Sequence, residues 1–238
     1  MGVMVVTGAS AGIGRAVAEA ALAEGWQVAC LARSEDKLAE VAAQGDGLAV
    51  ACDVSDAAAV ERAFAEVVAK FGRIDVLFNN AGMFPPAALP DEVTLEDWDA
   101  CIAVNLTGMF LCARAAFAQM RGQAPRGGRI INNGSISGQV PRAKSLAYTT
   151  TKHAINGMTK QIALDGRDFD IACGQIDVGN ARTGLLANMD SAATKTAEPT
   201  MDVANVARSV LHMAGLPLEA NVLNMTVMAS AMPFVGRG

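Results

Sequence analysis

The hydroxyl of Ser135, the phenol of Tyr148 and the ammonium of Lys152 are the side chains whose spacing is most informative about chemistry, and Tyr148 is the only tyrosine. Tyr148 and Lys152 are four positions apart in a segment of small and apolar residues that favours a helix, so both would lie on one helix face. A neighbouring positive charge favours the phenolate, and we expect Lys152 to lower the pKa of Tyr148 from its usual ~10. A phenol of this kind transfers protons near neutral pH.

A tyrosine and a lysine at this spacing are common on helix surfaces, so the elements that position them decide the interpretation. Residues 2–6 predict a strand, residues 7–14 a glycine-rich turn, and residues 15–24 a helix. Small residues let the backbone approach a pyrophosphate, and a helix N-terminus offers free N–H groups. This order of elements is the context that a dinucleotide fingerprint requires. The turn residues assigned to the cofactor are Gly8, Ser10, Gly12, Ile13 and Gly14.

Apolar runs alternate with helical patterns along the rest of the chain. The predicted strands cover residues 2–6, 26–32, 47–52, 74–78, 127–132, 170–176 and 221–228. The predicted helices cover residues 15–24, 56–70, 91–121 and 145–165, with two more that begin at Ser34, as a cap, and at Asp202. Repeated βα units predict a parallel sheet with helices on both faces. We therefore expect an α/β fold, a single-domain, doubly wound Rossmann sheet of about seven strands over residues 1–238.

Taken together, the motifs resemble those of the short-chain dehydrogenase/reductase family over nearly the whole chain. They are Thr7-Gly8-x-x-x-Gly12-x-Gly14, Cys52-Asp53-Val54, Asn79-Asn80-Ala81-Gly82, Asn105, Ser135 and Tyr148-x-x-x-Lys152. The sequence departs from the family pattern twice. Val178-Gly179 stands where the family has Pro-Gly, which changes a local turn, and Ala11 replaces a basic or polar residue near the phosphates.

The resemblance implies a catalytic role for four residues. Tyr148 would be the general acid in carbonyl reduction and the general base in alcohol oxidation. Lys152 would lower its pKa and hold the nicotinamide ribose, and Ser135 would orient the substrate oxygen, with Ser137 a nearby competitor. Asn105 matches the asparagine that kinks a helix and holds a water for the proton relay.

The resemblance also implies further contacts with the cofactor. Asp53 and Val54 would meet the adenine, although an aspartate here would equally suit the start of a helix. Asn80, Ala81 and Gly82 would pack close to the cofactor, and Thr183 would meet the nicotinamide carboxamide.

The end of the second strand favours NADP over NAD. An acidic residue there would bind the ribose 2′-hydroxyl, but the chain has Ala32-Arg33-Ser34. The Arg33 guanidinium suits a 2′-phosphate, and in the family a basic residue here accompanies NADP. The alternative is that Arg33 only caps a solvent-facing loop. Because Ala11 offers no second cation, the preference is expected to be modest.

Composition indicates an ordinary enzyme of 238 residues with a net charge of −5 and no basic stretch for nucleic acid. The five scattered cysteines suit a reducing compartment, and with two histidines they give no metal-binding spacing. His153 and His212 are expected to be surface or packing residues. The first strand begins almost at Met1, and no apolar run approaches the roughly 20 residues of a membrane span. We therefore expect a cytoplasmic protein that binds no metal or membrane.

The substrate side is expected to be largely apolar. Met83-Phe84-Pro-Pro, Gln139-Val-Pro141-Arg142 and residues 185–189 would line it, with Arg142 at its rim. Residues 183–200 resemble a mobile substrate lid. The apolar tail, residues 229–238, suggests subunit packing, and family members are commonly homodimers or homotetramers.

Three hypotheses compete for the function. The first is an NADP-dependent oxidoreductase acting on a small alcohol or ketone. The second is a catalytically idle NAD(P)-binding redox sensor, which would be expected to lack Tyr148 or Lys152. The third is an epimerase or dehydratase, but such enzymes carry an additional C-terminal substrate domain that we do not expect in this chain. An enoyl reductase would space its tyrosine and lysine further apart. The sequence favours the first hypothesis and does not name the substrate.

Overall fold

The computed structural model describes residues 2–183 and 198–235. They form a parallel sheet of seven strands in the order β3-β2-β1-β4-β5-β6-β7. The strands are β1 (Val3–Thr7), β2 (Gln27–Ala32), β3 (Gly47–Ala51), β4 (Val76–Asn79), β5 (Gly128–Asn133), β6 (Ile171–Val178) and β7 (Asn224–Val227). The chain order reverses beside β1 and β4, which is where a doubly wound sheet opens a crevice for ligands. The predicted Rossmann-like α/β fold is confirmed.

The helices pack on both faces of this sheet. They are α1 (Gly12–Ala23), α2 (Glu35–Ala42), α3 (Ala57–Phe71), α4 (Leu95–Ile102), α5 (Met109–Gly122), α6 (Leu146–Asp165) and α7 (Val203–Gly215). A π-helical segment, Ala103–Gly108, joins α4 to α5. One core contains residues of α1, α2 and α7, and the other contains residues of α3 and α5.

Strand β1 shows how the sequence supplies both cores. Met4 and Val6 belong to the core beneath α1, whereas Val3 and Val5 belong to the core beneath α3. Successive side chains of a strand point to opposite faces, so an unbroken apolar run buries both. This pattern is typical of a parallel strand that is covered on both sides.

Three helices begin at a polar residue that caps the first turn. The side chains of Asp56, Thr94 and Asp202 each accept a hydrogen bond from a backbone amide in the first turn of their helix. Ser34 precedes α2, but its side chain makes no capping hydrogen bond, so that prediction is wrong in this respect. Helix α2 instead carries Glu35 and Asp36 in its first turn, where negative charge is favourable.

The continuous helical stretch Leu95–Gly122 has 28 residues and a mean hydropathy of 1.6 in its most apolar window, 44% of which is buried. By length and composition it could cross a membrane, so the expectation that no segment approaches such a span was too strict. A core helix of a soluble protein meets the same limits, and the α5 side chains Cys112, Ala116 and Met120 pack in the core. This helix is therefore weak evidence for a membrane.

Candidate active site

The carboxyl ends of β1 and β4 are tied together by a set of hydrogen bonds. The Thr7 hydroxyl accepts from the backbone amides of Asn80 (2.8 Å) and Ala81 (2.9 Å). The Asn80 side chain in turn donates to the Thr7 carbonyl at 2.8 Å. This clasp fixes the segment after β4 against the glycine-rich turn, and it places Asn80, Ala81 and Gly82 at the crevice edge as predicted for a parallel sheet.

The glycine-rich turn is built for close backbone approach. Gly8 and Gly12 have φ angles of 69° and 55°, which L side chains rarely adopt. A Cβ on Gly14 would overlap the Gly8 carbonyl oxygen, and one on Gly8 would lie 2.9 Å from the Asn80 amide nitrogen. Helix α1 begins at Gly12, three residues earlier than predicted, and Ala11 at its cap offers no side-chain acceptor.

This geometry fits a pyrophosphate. The N–H groups of the first turn of α1 have no side-chain cap, and the dipole of a helix N-terminus favours negative charge. Ser10 and Ile13 are half-buried beside the turn. The Cβ and Cγ2 atoms of Thr183 lie 3.6 Å from where a Gly12 Cβ would stand, so Thr183 reaches the same site. The glycine-rich turn with Ser10 and Ile13 would hold the phosphates, and the contact of Thr183 with the nicotinamide carboxamide stays a prediction.

Arg33 and Asp53 lie at the outer end of this crevice. Arg33 is exposed directly after β2, and Ala32 leaves no acidic group at the strand end. Hydrogen bonds from Ser55 lower the pKa of Asp53, and the positive charge of Arg33 lowers it further. The alternative role for Asp53, that it begins a helix, is not supported, because Asp56 is the residue that caps α3. Val54 is buried beside Gly108.

Asn105 lies in the π-helical segment between α4 and α5, which confirms the predicted helix distortion. Its side chain is fully buried and pairs with the Met83 backbone, accepting from the amide at 2.7 Å and donating to the carbonyl at 2.9 Å. Gly82 lies beside it, since a Cβ there would be 3.4 Å from the Asn105 carbonyl oxygen. The oxygen and the nitrogen of the Asn105 side chain thus both hold the segment after Gly82. The role of Asn105 in holding a water molecule stays a prediction.

Ser135 lies just beyond the end of β5, before a short 3-10 turn, Ile136–Gly138. Its hydroxyl accepts from the Ser137 amide at 3.1 Å, and its interaction with the Tyr148 hydroxyl lowers the pKa of that phenol. The structure therefore pairs Tyr148 with Ser135 and uses Ser137 through its backbone. The two hydroxyls together could bind one oxygen atom of a substrate.

Lys152 is 4% exposed, and its ammonium donates to the Asn133 carbonyl at 2.7 Å. Burial lowers the pKa of Lys152 to about 8, while Asp177 and Cys101 oppose this shift. The Nζ atom lies 5.5 Å from the centroid of the Tyr148 ring. Tyr148 and Lys152 therefore share one helix face, as the four-residue spacing predicted.

The predicted pKa of Tyr148 was wrong in direction. Burial raises the pKa of Tyr148 to about 12, and the hydrogen bond from Ser135 only partly offsets this shift. The ring of Phe84 contributes to the burial, because it stacks on the Tyr148 ring with centroids 3.7 Å apart and planes at 20°. Lys152 directs its ammonium to the Asn133 carbonyl, and because burial dominates, the phenol of Tyr148 is protonated at neutral pH.

Sequence reasoning missed Asp177, a fully buried carboxylate near the end of β6. It accepts hydrogen bonds from the Ser135 amide and from the side chains of Gln139, Gln175 and Asn224. The available signal was an aspartate within the apolar run of a buried strand, where a charge is costly without partners. Val178, in place of the family's proline, continues β6 by pairing with Val227, so the altered turn becomes regular strand.

The rim of the site contains an ion pair. Arg142 binds Glu198 at 2.6 Å, and the Asn180 side chain donates to the same carboxylate at 2.7 Å. The positive charge of Arg142, which was predicted to lie at the rim, is therefore neutralised by Glu198. The predicted lid, residues 183–200, lies mostly outside the described residues, as do the 185–189 wall and the last three residues of the 229–238 tail.

Other reactive side chains lie away from the site or are sequestered. His153 and His212 are exposed, and His153 contacts the Thr149 carbonyl of its own helix at 2.9 Å. All five cysteines are buried free thiols. Within residues 2–183 and 198–235, no group of three or more His, Cys, Asp or Glu side chains could hold a metal ion.

Comparisons with known proteins agree with this geometry. A family model described as short chain dehydrogenase matches residues 2–194. The 3beta-hydroxysteroid dehydrogenase of Mediterraneibacter gnavus is 38% identical over 199 residues, covering 82% of this chain and 71% of that protein.

Solved structures give the same result. The 3-ketoacyl-(acyl-carrier-protein) reductase from Brucella melitensis complexed with NADH matches with a TM-score of 0.87 at 25% identity, covering 96% of this chain and 97% of that chain. The closed form of serine dehydrogenase complexed with NADP+ matches with a TM-score of 0.89 at 25% identity, covering 99% and 98%.

The chain belongs to the short-chain dehydrogenase family. It is an oxidoreductase of the class that acts on CH–OH or C=O groups of small molecules with a nicotinamide cofactor.

Proposed function

We propose that the protein is an NADP-dependent oxidoreductase that reduces the carbonyl group of a small, largely apolar substrate, with Tyr148 as acid and base. The observation that carries the proposal is the cluster formed by the hydroxyls of Ser135 and Tyr148 with the buried side chain of Lys152 beside them. Loss of this constellation would be expected of an idle redox sensor. Its presence favours a working enzyme.

The proposed mechanism assigns one task to each side chain. Ser135 and Tyr148 bind the substrate oxygen, and Tyr148 delivers a proton to it as negative charge develops there. Lys152 and the residues of the glycine-rich turn hold the nucleotide, and Asn105 holds the segment after Gly82 in place. The nicotinamide, when bound, supplies the hydride, so the protein contributes orientation and the proton.

The pH dependence of the two reaction rates follows from the protonation of Tyr148. Since burial raises its pKa to about 12, the phenol is protonated at neutral pH and is ready to act as an acid. Oxidation of an alcohol requires the phenolate, whose population grows as pH rises toward the pKa. We therefore propose that the reduction rate is nearly independent of pH around 7 and that the oxidation rate increases with pH.

The preference for NADP rests on the end of β2. Arg33 is exposed there, and its charge acts on Asp53 across the crevice edge, so both groups face the same region. A guanidinium binds a phosphate through charge-assisted hydrogen bonds, and no carboxylate at the strand end competes for the 2′-position. Solved relatives contain NADH or NADP+.

The proposed substrate is uncharged and small because of the groups around the two hydroxyls. Phe84 covers the Tyr148 ring, and exposed Val140 and neighbouring Pro141 continue the apolar wall. The nearest rim cation, Arg142, is already paired with Glu198. An anionic substrate would have to break this ion pair, whereas a neutral carbonyl compound would not.

Assembly and location are part of the proposal. We infer a homodimer or homotetramer, because Phe110 and Leu164 on α5 and α6 and Val235 in the tail are half or more exposed, and subunit contacts would cover them. The five free thiols favour a reducing, cytoplasmic setting. The whole chain would act as one domain.

The test is NADPH consumption by the purified protein with a panel of ketones, 3-oxoacyl thioesters, sugars and aldehydes, run in parallel with NADH. Turnover of at least one neutral carbonyl compound, faster with NADPH, is the expected result. Tight nucleotide binding without consumption on the whole panel would instead favour the redox sensor, and stronger turnover with NADH would overturn the cofactor preference.

A further inference from the structure

Asp177 is a buried carboxylate that accepts a hydrogen bond from the backbone of the active-site residue Ser135. It is 0% exposed and accepts four hydrogen bonds. The Ser135 amide (3.0 Å) and Gln175 (2.6 Å) donate to Oδ1, and Gln139 (2.6 Å) and Asn224 (3.0 Å) donate to Oδ2. An ionised carboxylate can only accept hydrogen bonds, and it has about four lone-pair sites. The four donors therefore satisfy the hydrogen-bonding capacity of an ionised Asp177.

The four donors connect separate parts of the fold at one point. Gln175 lies on β6 and Asn224 on β7, while Gln139 follows the turn that Ser135 begins. Gln139 also donates to Thr226 of β7 at 2.9 Å. The carboxylate therefore fixes the start of the serine turn against the end of the sheet.

The chain makes room for this contact. Gly134 immediately precedes Ser135, and a Cβ at Gly134 would overlap the Asp177 carboxylate oxygen. Any other residue would push the carboxylate away from the Ser135 amide. The glycine thus permits a contact between the Asp177 carboxylate and the Ser135 backbone amide that fixes the position of Ser135.

The charge of Asp177 has no counter-ion at contact distance among the described residues. It acts instead on the two groups of the active site, opposing ionisation of Tyr148 and favouring the ammonium of Lys152. The other charged or titratable groups that act on this pair are Cys101 of α4 and Arg142 of the rim.

We propose that Asp177 is a positioning residue of the active site: it orients Ser135 through its backbone amide, and its buried negative charge acts on Tyr148 and Lys152. If Asp177 had only a structural role, any side chain that accepts the hydrogen bonds joining β6 to β7 would serve, whether or not it carried a charge. The proposal differs because it requires the charge. It rests on the proposed function for its effect on turnover but not for its effect on Tyr148.

Asp177→Asn tests the charge directly, because it keeps the size of the side chain and the neighbouring amides can flip to satisfy it. Protein labelled with ¹³C at the tyrosine Cζ carbon gives one resonance, since Tyr148 is the sole tyrosine. In the variant we expect more phenolate at each alkaline pH than in the wild type. An unchanged titration in a folded variant would overturn the proposal, whether or not a substrate is known.

Turnover provides the second readout. With an active wild type, Asp177→Asn should lower kcat by about ten- to a hundredfold, the equivalent of one hydrogen bond to a charged group. The dissociation constant of NADPH should be unchanged when measured well below the Lys152 pKa of about 8, where Lys152 stays charged in both proteins. Asp75→Asn is the matched control. Asp75 also accepts from a backbone amide, that of Val3 at 2.8 Å, but at the opposite end of the sheet, so kcat should be retained.

Gln139→Ala keeps the positioning claim testable if Asp177→Asn does not fold. Gln139 is exposed, and its loss removes one donor without emptying the core. We expect kcat to fall by about two- to tenfold, the range of a single hydrogen bond, with the melting temperature almost unchanged. An unaltered kcat would contradict the proposal that this network positions Ser135.

Discussion

The two halves of the site are built in different ways. The nucleotide side, at the ends of β1 and β2, is shaped mainly by backbone: glycines with positive φ, free helix amides and one clasp between Thr7 and Asn80. The catalytic side, at the ends of β5 and β6, is shaped by buried polar side chains that hydrogen-bond to one another.

This difference teaches what each side tolerates. A backbone cradle is lost when a side chain fills it, as a Cβ on Gly14 would by overlapping the Gly8 carbonyl oxygen. A buried polar network is lost when a partner or a charge is removed, because the remaining groups stay unsatisfied. Nucleotide affinity and proton transfer should therefore respond to separate sets of substitutions, except at Lys152.

Lys152→Ala should give the largest combined effect because this residue serves both halves. We expect kcat to fall by at least ~10²-fold, in the range of acid–base catalysis, together with weaker NADPH binding. Wild-type affinity should be constant below pH 8 and weaken above it, since Lys152 loses its proton as pH rises through its pKa of about 8. The variant should lack this pH dependence.

Parallel turnover and nucleotide titrations between pH 6 and about 10 would measure both effects, within the range where lysine side chains titrate. Lys160→Ala is the matched control, because Lys160 is exposed on the same helix, α6. Unchanged nucleotide binding in Lys152→Ala would remove the proposed ribose contact and confine Lys152 to the catalytic side.

Arg33→Ala should affect the nucleotide side alone. Loss of a charge-assisted hydrogen bond to the 2′-phosphate should weaken NADP by about ten- to a hundredfold and leave NAD nearly unchanged. Ala32→Asp should shift the preference the same way by repelling the phosphate. The measurement is the dissociation constant of both nucleotides at one fixed salt concentration.

Lys37→Ala is the control for nonspecific charge, because Lys37 is an exposed cation on the adjoining helix α2. Equal weakening of NAD and NADP in Arg33→Ala would show that Arg33 acts through loop structure. Tighter binding of NAD than of NADP by the wild type would contradict the proposed preference itself.

Phe84→Ala should have the smallest effect and should touch only the catalytic side. Without the stacked ring, Tyr148 is less buried, so its pKa should fall and the rise of the oxidation rate should begin at lower pH. Loss of an aromatic pair corresponds to about a two- to tenfold change in an equilibrium constant. Here that constant is the acid dissociation constant of Tyr148. Phe84→Leu keeps an apolar cover and should resemble the wild type, whereas an unmoved pH profile in Phe84→Ala would show that Phe84 does not control Tyr148.

The sequence predicted the nucleotide side more completely than the catalytic side. Glycines, Asn80 and Arg33 could be identified because each lies at the end of an apolar strand, and strand ends of a parallel sheet share one edge. Ser135, Tyr148 and Lys152 were also identified, through spacing and family resemblance. These signals are local in sequence.

The remaining features depend on contacts that spacing does not encode. Asp177 receives donors from residues up to 47 positions away, and Phe84 covers Tyr148 from a loop 64 positions earlier in the chain. The pKa of Tyr148 was predicted in the wrong direction for the same reason. The neighbouring lysine was visible in the sequence, but the burial that outweighs it was not.

Turnover by Tyr148→Phe tests the central claim that the catalytic side transfers the proton while the nucleotide side works independently. The substitution removes one hydroxyl and keeps the ring that stacks on Phe84, so nucleotide binding should stay within a few-fold of the wild type. General acid catalysis contributes about 10²–10⁴-fold, and we predict a fall in kcat of that size at saturating NADPH. A variant that retains more than about a tenth of the wild-type rate would contradict the assignment of Tyr148.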